Sequence, residues 1–166
     1  MRANKDRTAA PSVKVGELMT SGVITCAPET SAATAAALML QGDCGILPIV
    51  DHGALVGVVT DRDLFIALGT RNLRPTELTV GDVATKRVWT CRSTDDVSAA
   101  LATMNTHRVR RLPVTDDAGR VIGVLSVNDL VLEGGAEKSV RSDALMETLR
   151  GICAHHQPLV PRPEHL

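Results

Sequence analysis

The sequence predicts an α/β fold of the α+β type. It holds two strand-helix-strand-strand-helix units related by pseudo-two-fold symmetry, followed by a C-terminal helix. Three observations carry that prediction. The phrase GVVTDRDL at 57–64 returns as GVLSVNDL at 123–130. VGELMTSGVITC (15–26) lies over VGDVATKRVWTC (80–91), and ILPIVD (46–51) over RLPVTD (111–116), both at a shift of sixty-five residues. The shift then grows to sixty-six because DDAG (116–119) replaces DHG (51–53). Insertions are tolerated in tight turns, so this locates a hairpin loop in each copy. Self-similarity in this order reads as a duplicated unit.

Each element follows from local rules. GVITC (22–26) and RVWTC (87–91) are short β-branched runs and are expected as strands. TSAATAAALMLQG (30–42) is expected as a helix, capped by Thr30 or Ser31 and stopped by Gly42. Its counterpart, TDDVSAALATMNTH (94–107), places acids in the first turn, where the helix dipole favours them. GILPIV and ALVGVVT are strands flanking Asp51-His52-Gly53, and DRDLFIALG (61–69) is a helix ending at Gly69. Glu17 and Asp82 are expected to cap the segment that leads into each copy. One unit of about fifty-five residues buries too little surface to stand alone. The two copies are therefore expected to pack face to face around a shared core. After Gly134-Gly135, Val140, Leu145, Leu149 and Ile152 recur at near-helical spacing, which predicts an amphipathic helix that packs on the module or at a dimer interface. The resulting plan is a flexible tail (1–14), repeat one (15–69), a linker (70–79), repeat two (80–133), the C-terminal helix (134–154) and an irregular proline-bearing tail (155–166).

Composition excludes several classes of function. The 166 residues are 44 % hydrophobic but include one Phe, one Trp and no Tyr, so the core must be aliphatic. Stacking platforms for single-stranded nucleic acid need exposed rings. A net charge of −1 supplies no global field for nucleic acid or anionic membrane. No apolar run reaches bilayer length, and the basic N-terminus is not followed by a signal-type apolar stretch. Four cysteines without a C-x-x-C pair fit a reduced, cytoplasmic setting. No nucleophile–base pair, Gly-rich phosphate loop or carboxylate dyad stands out, which argues against an enzyme.

The repeated LPIVD…GVVTDRDL order resembles the cystathionine-beta-synthase (CBS) domain, and a tandem pair of such domains is called a Bateman module. The resemblance spans 15–69 and 80–133. GVITC, GILPI, TDRD, HRVRRLPV and the late GICA are similar to stand-alone pairs of the hypoxic-response kind. The resemblance implies a regulatory, non-catalytic module that binds an adenosyl compound such as AMP, ADP, ATP, S-adenosylmethionine or NADH in a cleft between the repeats. It also implies a flat homodimer that acts through a protein partner.

Two readings of the hydroxyl-x-x-Asp phrase follow. In the family reading, Asp63 and Asp129 accept from ribose hydroxyls while Thr60 and Ser126 help to hold phosphate. A carboxylate suits a diol because it offers two acceptor oxygens, and a helix start presents free N–H groups to phosphate. The alternative is a capping box, a Ser or Thr with an acid three residues on, which any helix start can use. HRVRRLPV (107–114) adds Arg110 and Arg111, whose planar forks match phosphate; the alternative for them is a sheet edge blunted by charge. The expected sites are Asp129, Ser126, Arg110 and Arg111 in one cleft and Asp63, Thr60 and Arg62 in the other. Thr25 and Thr90, at the ends of the first strands, are expected near the nucleobase or ribose. No metal site is expected, because Cys153-x-His155-His156 lacks a fourth ligand at defined spacing. A redox pair of Cys26 with Cys44 is a further option, as is a ligand-free interaction module.

Overall fold

The computed structural model describes residues 12–132 and 142–154. Most of the expected N-terminal tail, the Gly-Gly break and all of 155–166 lie outside the described residues. The chain is already tied to the fold at Val13, whose carbonyl accepts from Val97 N at 3.0 Å.

The first repeat runs through a 3-10 turn (Val15–Glu17), β1 (Thr20–Ser21), α1 (Ala32–Gln41), β2 (Ile46–Asp51), β3 (Ala54–Thr60) and α2 (Asp61–Arg71). The second follows with α3 (Val80–Val83), β4 (Cys91–Arg92), α4 (Val97–His107), β5 (Arg111–Thr115), β6 (Val121–Ser126) and α5 (Val127–Leu132), and α6 (Ser142–Cys153) closes the chain. Local chemistry sets most of these limits. Ser31 Oγ accepts from Thr34 N at 3.1 Å, and Gly42 is the C-cap of α1. Glu17 Oε1 accepts from Lys14 N, and Asp82 Oδ2 from Thr79 N, so both acids cap their lead-in turns as expected. His52 and Gly53 both take positive φ, which suits the tight turn between β2 and β3. In the second copy Asp116 Oδ1 instead accepts from Ala118 N and Arg120 N, closing the longer turn.

Two expected boundaries move. α2 runs past Gly69 to Arg71 and ends on Asn72, in the left-handed conformation that Asn tolerates. The first strands shrink. Within 22–26 only Cys26 bridges Ile49, and in the second copy only Cys91–Arg92 pairs with β5. Gly22 has φ +67 and turns the chain out of the β1 pairing, so the β-branched residues after it span the gap between the sheets without ladder partners.

The sheets account for that gap. β4, β5, β6 and β1 form one sheet in the order β1-β6-β5-β4, so the first repeat's β1 pairs with the second repeat's last strand, Thr20 opposite Val124. β2 and β3 form the other sheet, and there Thr85, the equivalent of Thr20, bridges Val58 of β3. The lead-in segments are thus exchanged. Val15 N and Gly16 N donate to Asp95 O and Ser93 O, each at 2.9 Å; Val80 N and Gly81 N donate to Thr30 O and Pro28 O at 2.8 and 2.9 Å.

This exchange corrects the expectation of one shared core. Among the described residues there are two cores, and each is closed by the other repeat's lead-in. Val15 and Leu18 sit with Leu101, Met104, Leu112 and Leu125 in the second. Leu78 and Val80 sit with Ala35, Met39, Leu47 and Val59 in the first. Leu78, from the stretch expected to be only a linker, is 1 % exposed. α6 packs Leu145, Leu149 and Ile152 against the second core, and Thr148, buried, donates to Ala144 O at 2.8 Å. A Cβ at Gly151 would overlap the Asn105 side chain of α4, so α6 approaches α4 closely at that point.

Truncating a lead-in residue should therefore destabilise the repeat it does not belong to by sequence. Leu78→Ala should lower the stability measured by urea unfolding by about 2–5 kcal/mol, the range for a filled core position. A loss below about 0.5 kcal/mol, as at a surface position, would contradict the closure of the first core by this segment.

Candidate functional site

The exchange leaves two clefts, each built from one repeat's lead-in and the other repeat's hydroxyl-x-x-Asp phrase. The larger, about 400 Å³, sets Ser126 and Asp129 of the second repeat against Thr20, Ile24 and the Asp43–Ile46 loop of the first. The smaller, about 260 Å³, sets Thr60 and Asp63 of the first repeat against Thr85, Arg87, Trp89 and Val109–Arg111 of the second.

Capping is realised at both phrases. Asp63 Oδ2 accepts from Thr60 N at 3.0 Å and Thr60 Oγ1 at 2.7 Å, while Asp63 N donates to Thr60 Oγ1 at 3.2 Å. Asp129 Oδ2 accepts from Ser126 N and Ser126 Oγ, each at 2.7 Å, and Asp129 N donates to Ser126 Oγ at 3.2 Å. The Asp63 and Asp129 N–H groups are thus taken by the hydroxyls, and Arg62 N donates to Asp61 Oδ1, so these three are not free for phosphate.

Capping does not exhaust the carboxylates. Each spends one oxygen on the cap, and an oxygen offers about two lone pairs. Asp63 Oδ1 has no donor among the described residues, so it can still accept both hydroxyls of a diol. Asp129 Oδ1 already accepts from Thr20 Oγ1 of the other repeat at 3.2 Å.

The arginines fall differently from the expected grouping. Arg110 lies in the Asp63 cleft, not with Ser126 and Asp129, and Arg111 lines both clefts. The reason is the exchange: a basic segment next to one phrase in sequence faces the other phrase in space. β4 pairs with β5 only at Val114 and Thr115, so Arg111, opposite Ser126 of β6, sits where the other side of β5 is open and the edge reading stands beside the cleft one. Arg87, Arg110 and Arg111 make no ion pair among the described residues, whereas Arg74, Arg92 and Arg120 pair with Glu77, Asp117 and Asp116. Three arginines thus face one aspartate in the Asp63 cleft, while the Asp129 cleft holds Asp43 and Asp129 against Arg111 alone.

Thr25, Thr90 and Arg62 are exposed and line neither cleft. Their neighbours Val23 and Ile24, and Val88 and Trp89, line the clefts instead. Sequence reasoning missed Thr20 and Thr85, although they are hydroxyl residues at equivalent places. It also missed Arg87 and Trp89, which replace Gly22 and Ile24 of the first copy. Trp89 stacks on His107 with ring centroids 3.4 Å apart and planes 5° off parallel, and the Arg87 guanidinium carbon lies 4.9 Å from the Trp89 centroid. Trp89 is therefore a support for Arg87.

All four cysteines are free thiols. Burial pushes Cys26 up to about 11, and burial together with the Asp95 charge pushes Cys91 up to about 12. Raised thiols carry little of the reactive thiolate, which counts against a redox role for Cys26. No group of three or more metal-binding side chains occurs among the described residues; His155 and His156 lie outside them.

A CBS-domain family model matches residues 15–70 and 80–134. Hypoxic response protein 1 of Mycobacterium tuberculosis is 31 % identical over 83 % of this chain and 92 % of its own length. The chain spans 62 % of another relative, a Methanopyrus kandleri protein. Among solved structures, the CBS domain pair of protein MJ0100 with 5′-methylthioadenosine and S-adenosyl-L-methionine superposes with a TM-score of 0.68, at 30 % identity over 75 % of this chain and 98 % of that one. CBSX2 in complex with AMP superposes with a TM-score of 0.62, at 30 % identity over 73 % and 95 %. The fold is that of a tandem CBS pair. The chain belongs to the CBS-domain family.

The thiol environments give a direct check. A thiol reagent at pH 8 should label exposed Cys153 first and reach Cys26 and Cys91 only in denaturant, because a pKa near 11 leaves ~0.1 % thiolate. Rapid native labelling of Cys26 would contradict its burial.

Proposed function

We propose that this chain is a cytoplasmic, non-catalytic regulatory module that binds an adenosyl ligand between its repeats and reports occupancy to a protein partner. The observation that carries the reading is the Asp63 cleft. It combines a carboxylate oxygen able to accept a ribose diol with Arg87, Arg110 and Arg111, which make no ion pair among the described residues and can meet phosphate. The bound AMP of CBSX2, and the methylthioadenosine and S-adenosylmethionine of the MJ0100 pair, support the ligand class. ATP, ADP and NADH share the same adenosyl half. Among the described residues no helix is long and apolar enough to cross a membrane.

Binding can change a partner contact only through different affinities for two states of the module. The exchanged lead-ins supply a route, since a ligand in either cleft touches both repeats at once. A homodimer is part of the proposal. Phe65 and Ile66 on α2 are 80 % and 47 % exposed, and their equivalents Val131 and Leu132 on α5 are 53 % and 78 % exposed. Apolar side chains presented this way by both repeats suit a two-fold contact. A ligand-free interaction module is the second reading, favoured by the complete capping boxes and this same apolar face.

Calorimetric titration of AMP, ATP, S-adenosylmethionine and NADH separates the two. Saturable binding of at least one is expected, and Asp63→Ala should weaken AMP about 10- to 100-fold, the effect of losing hydrogen bonds to a charged group. Its cap loss should cost about 1 kcal/mol of stability, read separately by urea unfolding. No binding at millimolar ligand would leave the interaction reading.

A further inference from the structure

The pseudo-two-fold relation between the clefts is broken at one pair of positions. Ile46 and Arg111 are repeat equivalents, and each lines both clefts. The junction between the clefts therefore carries one cation where exact symmetry would give two or none. Arg111 starts β5 opposite Ser126 of β6, and it is only half-buried. Its guanidinium also reaches the first repeat: a Cβ built on Gly45 would lie 3.5 Å from Arg111 Nη2 and 3.1 Å from Asp61 Oδ2. Gly45 stands where the second copy has Arg110, and without a side chain it leaves this space to Arg111. No described residue fixes the Arg111 guanidinium by an ion pair or a side-chain hydrogen bond.

We propose that Arg111 couples the two clefts, so that they take ligands of opposite charge character. The inference rests on the adenosyl-binding reading above. A phosphorylated nucleoside in the Asp63 cleft engages Arg111 together with Arg87 and Arg110. The Asp129 cleft is then left with Asp43 and Asp129 and no compensating cation among its lining residues. Like charges close together repel by an amount that grows as the site dries. A second phosphate is therefore disfavoured there, while an adenosyl cation, such as a sulfonium, is favoured. The two clefts behave as linked sites, and linkage requires each ligand to change the other's affinity by the same factor.

The test uses the full chain with AMP and S-adenosylmethionine as probes. S-adenosylmethionine is titrated by calorimetry with and without saturating AMP, and AMP with and without saturating S-adenosylmethionine. Each should tighten the other by a common factor of about five or more. In Arg111→Gln the factor should fall towards one, and Arg111→Lys, which keeps the charge, should restore part of it. Circular dichroism and urea unfolding show whether each variant folds. Independent binding in wild type, mutual weakening, or full coupling in Arg111→Gln would each overturn the proposal while leaving adenosyl binding in place. Failure of both probes to bind would overturn that reading as well.

Discussion

The structure depends on the reciprocal exchange of lead-in segments. Backbone hydrogen bonds hold it, among them those from Val15 and Gly16 to Asp95 and Ser93, and from Val80 and Gly81 to Thr30 and Pro28. They bring Val15 and Leu18 into the second core and Leu78 and Val80 into the first. A unit of this size is marginal alone because too little of its surface is removed from water. Here each unit receives its missing wall from its neighbour, which explains why the unit is doubled without one merged core.

The same exchange makes the clefts. The β-branched runs that follow Gly22 and Arg87 cross from one sheet to the other, and crossing denies them ladder partners. What they lose as strands they supply as cleft lining: Val23 and Ile24 on one side, Val88 and Trp89 on the other. The aspartates serve two ends at once. One oxygen closes a helix start; the other has no donor among the described residues at Asp63 and accepts from Thr20 of the other repeat at Asp129. Capping and ligand binding are compatible roles for one carboxylate.

Much of this is written in the chain. The duplicated phrase, the inserted turn residue, the Ser31 and Gly42 limits and both lead-in caps follow from local chemistry, and local chemistry is legible. Gly69 misleads because a helix with satisfied bonds continues through glycine, and Asn72 gives it a better stop. The site was half legible. Asp63, Asp129, Thr60, Ser126 and Arg111 are cleft residues, but Arg110 belongs opposite the phrase it does not accompany. Linear order cannot show which copy lends its lead-in to which core, since both pairings leave the alignment unchanged. Arg87 and Trp89 were hidden for a related reason. They differ from their counterparts in the first copy, and a search for what repeats passes over what does not.

The central claim is that the two clefts are geometrically related but chemically distinct, with the cation-rich one built on the first repeat's aspartate. A co-crystal structure with AMP tests it most directly. The account predicts the ribose hydroxyls on Asp63 and the phosphate among Arg87, Arg110 and Arg111. AMP seated with its ribose on Asp129, and the Asp63 cleft empty, would contradict it.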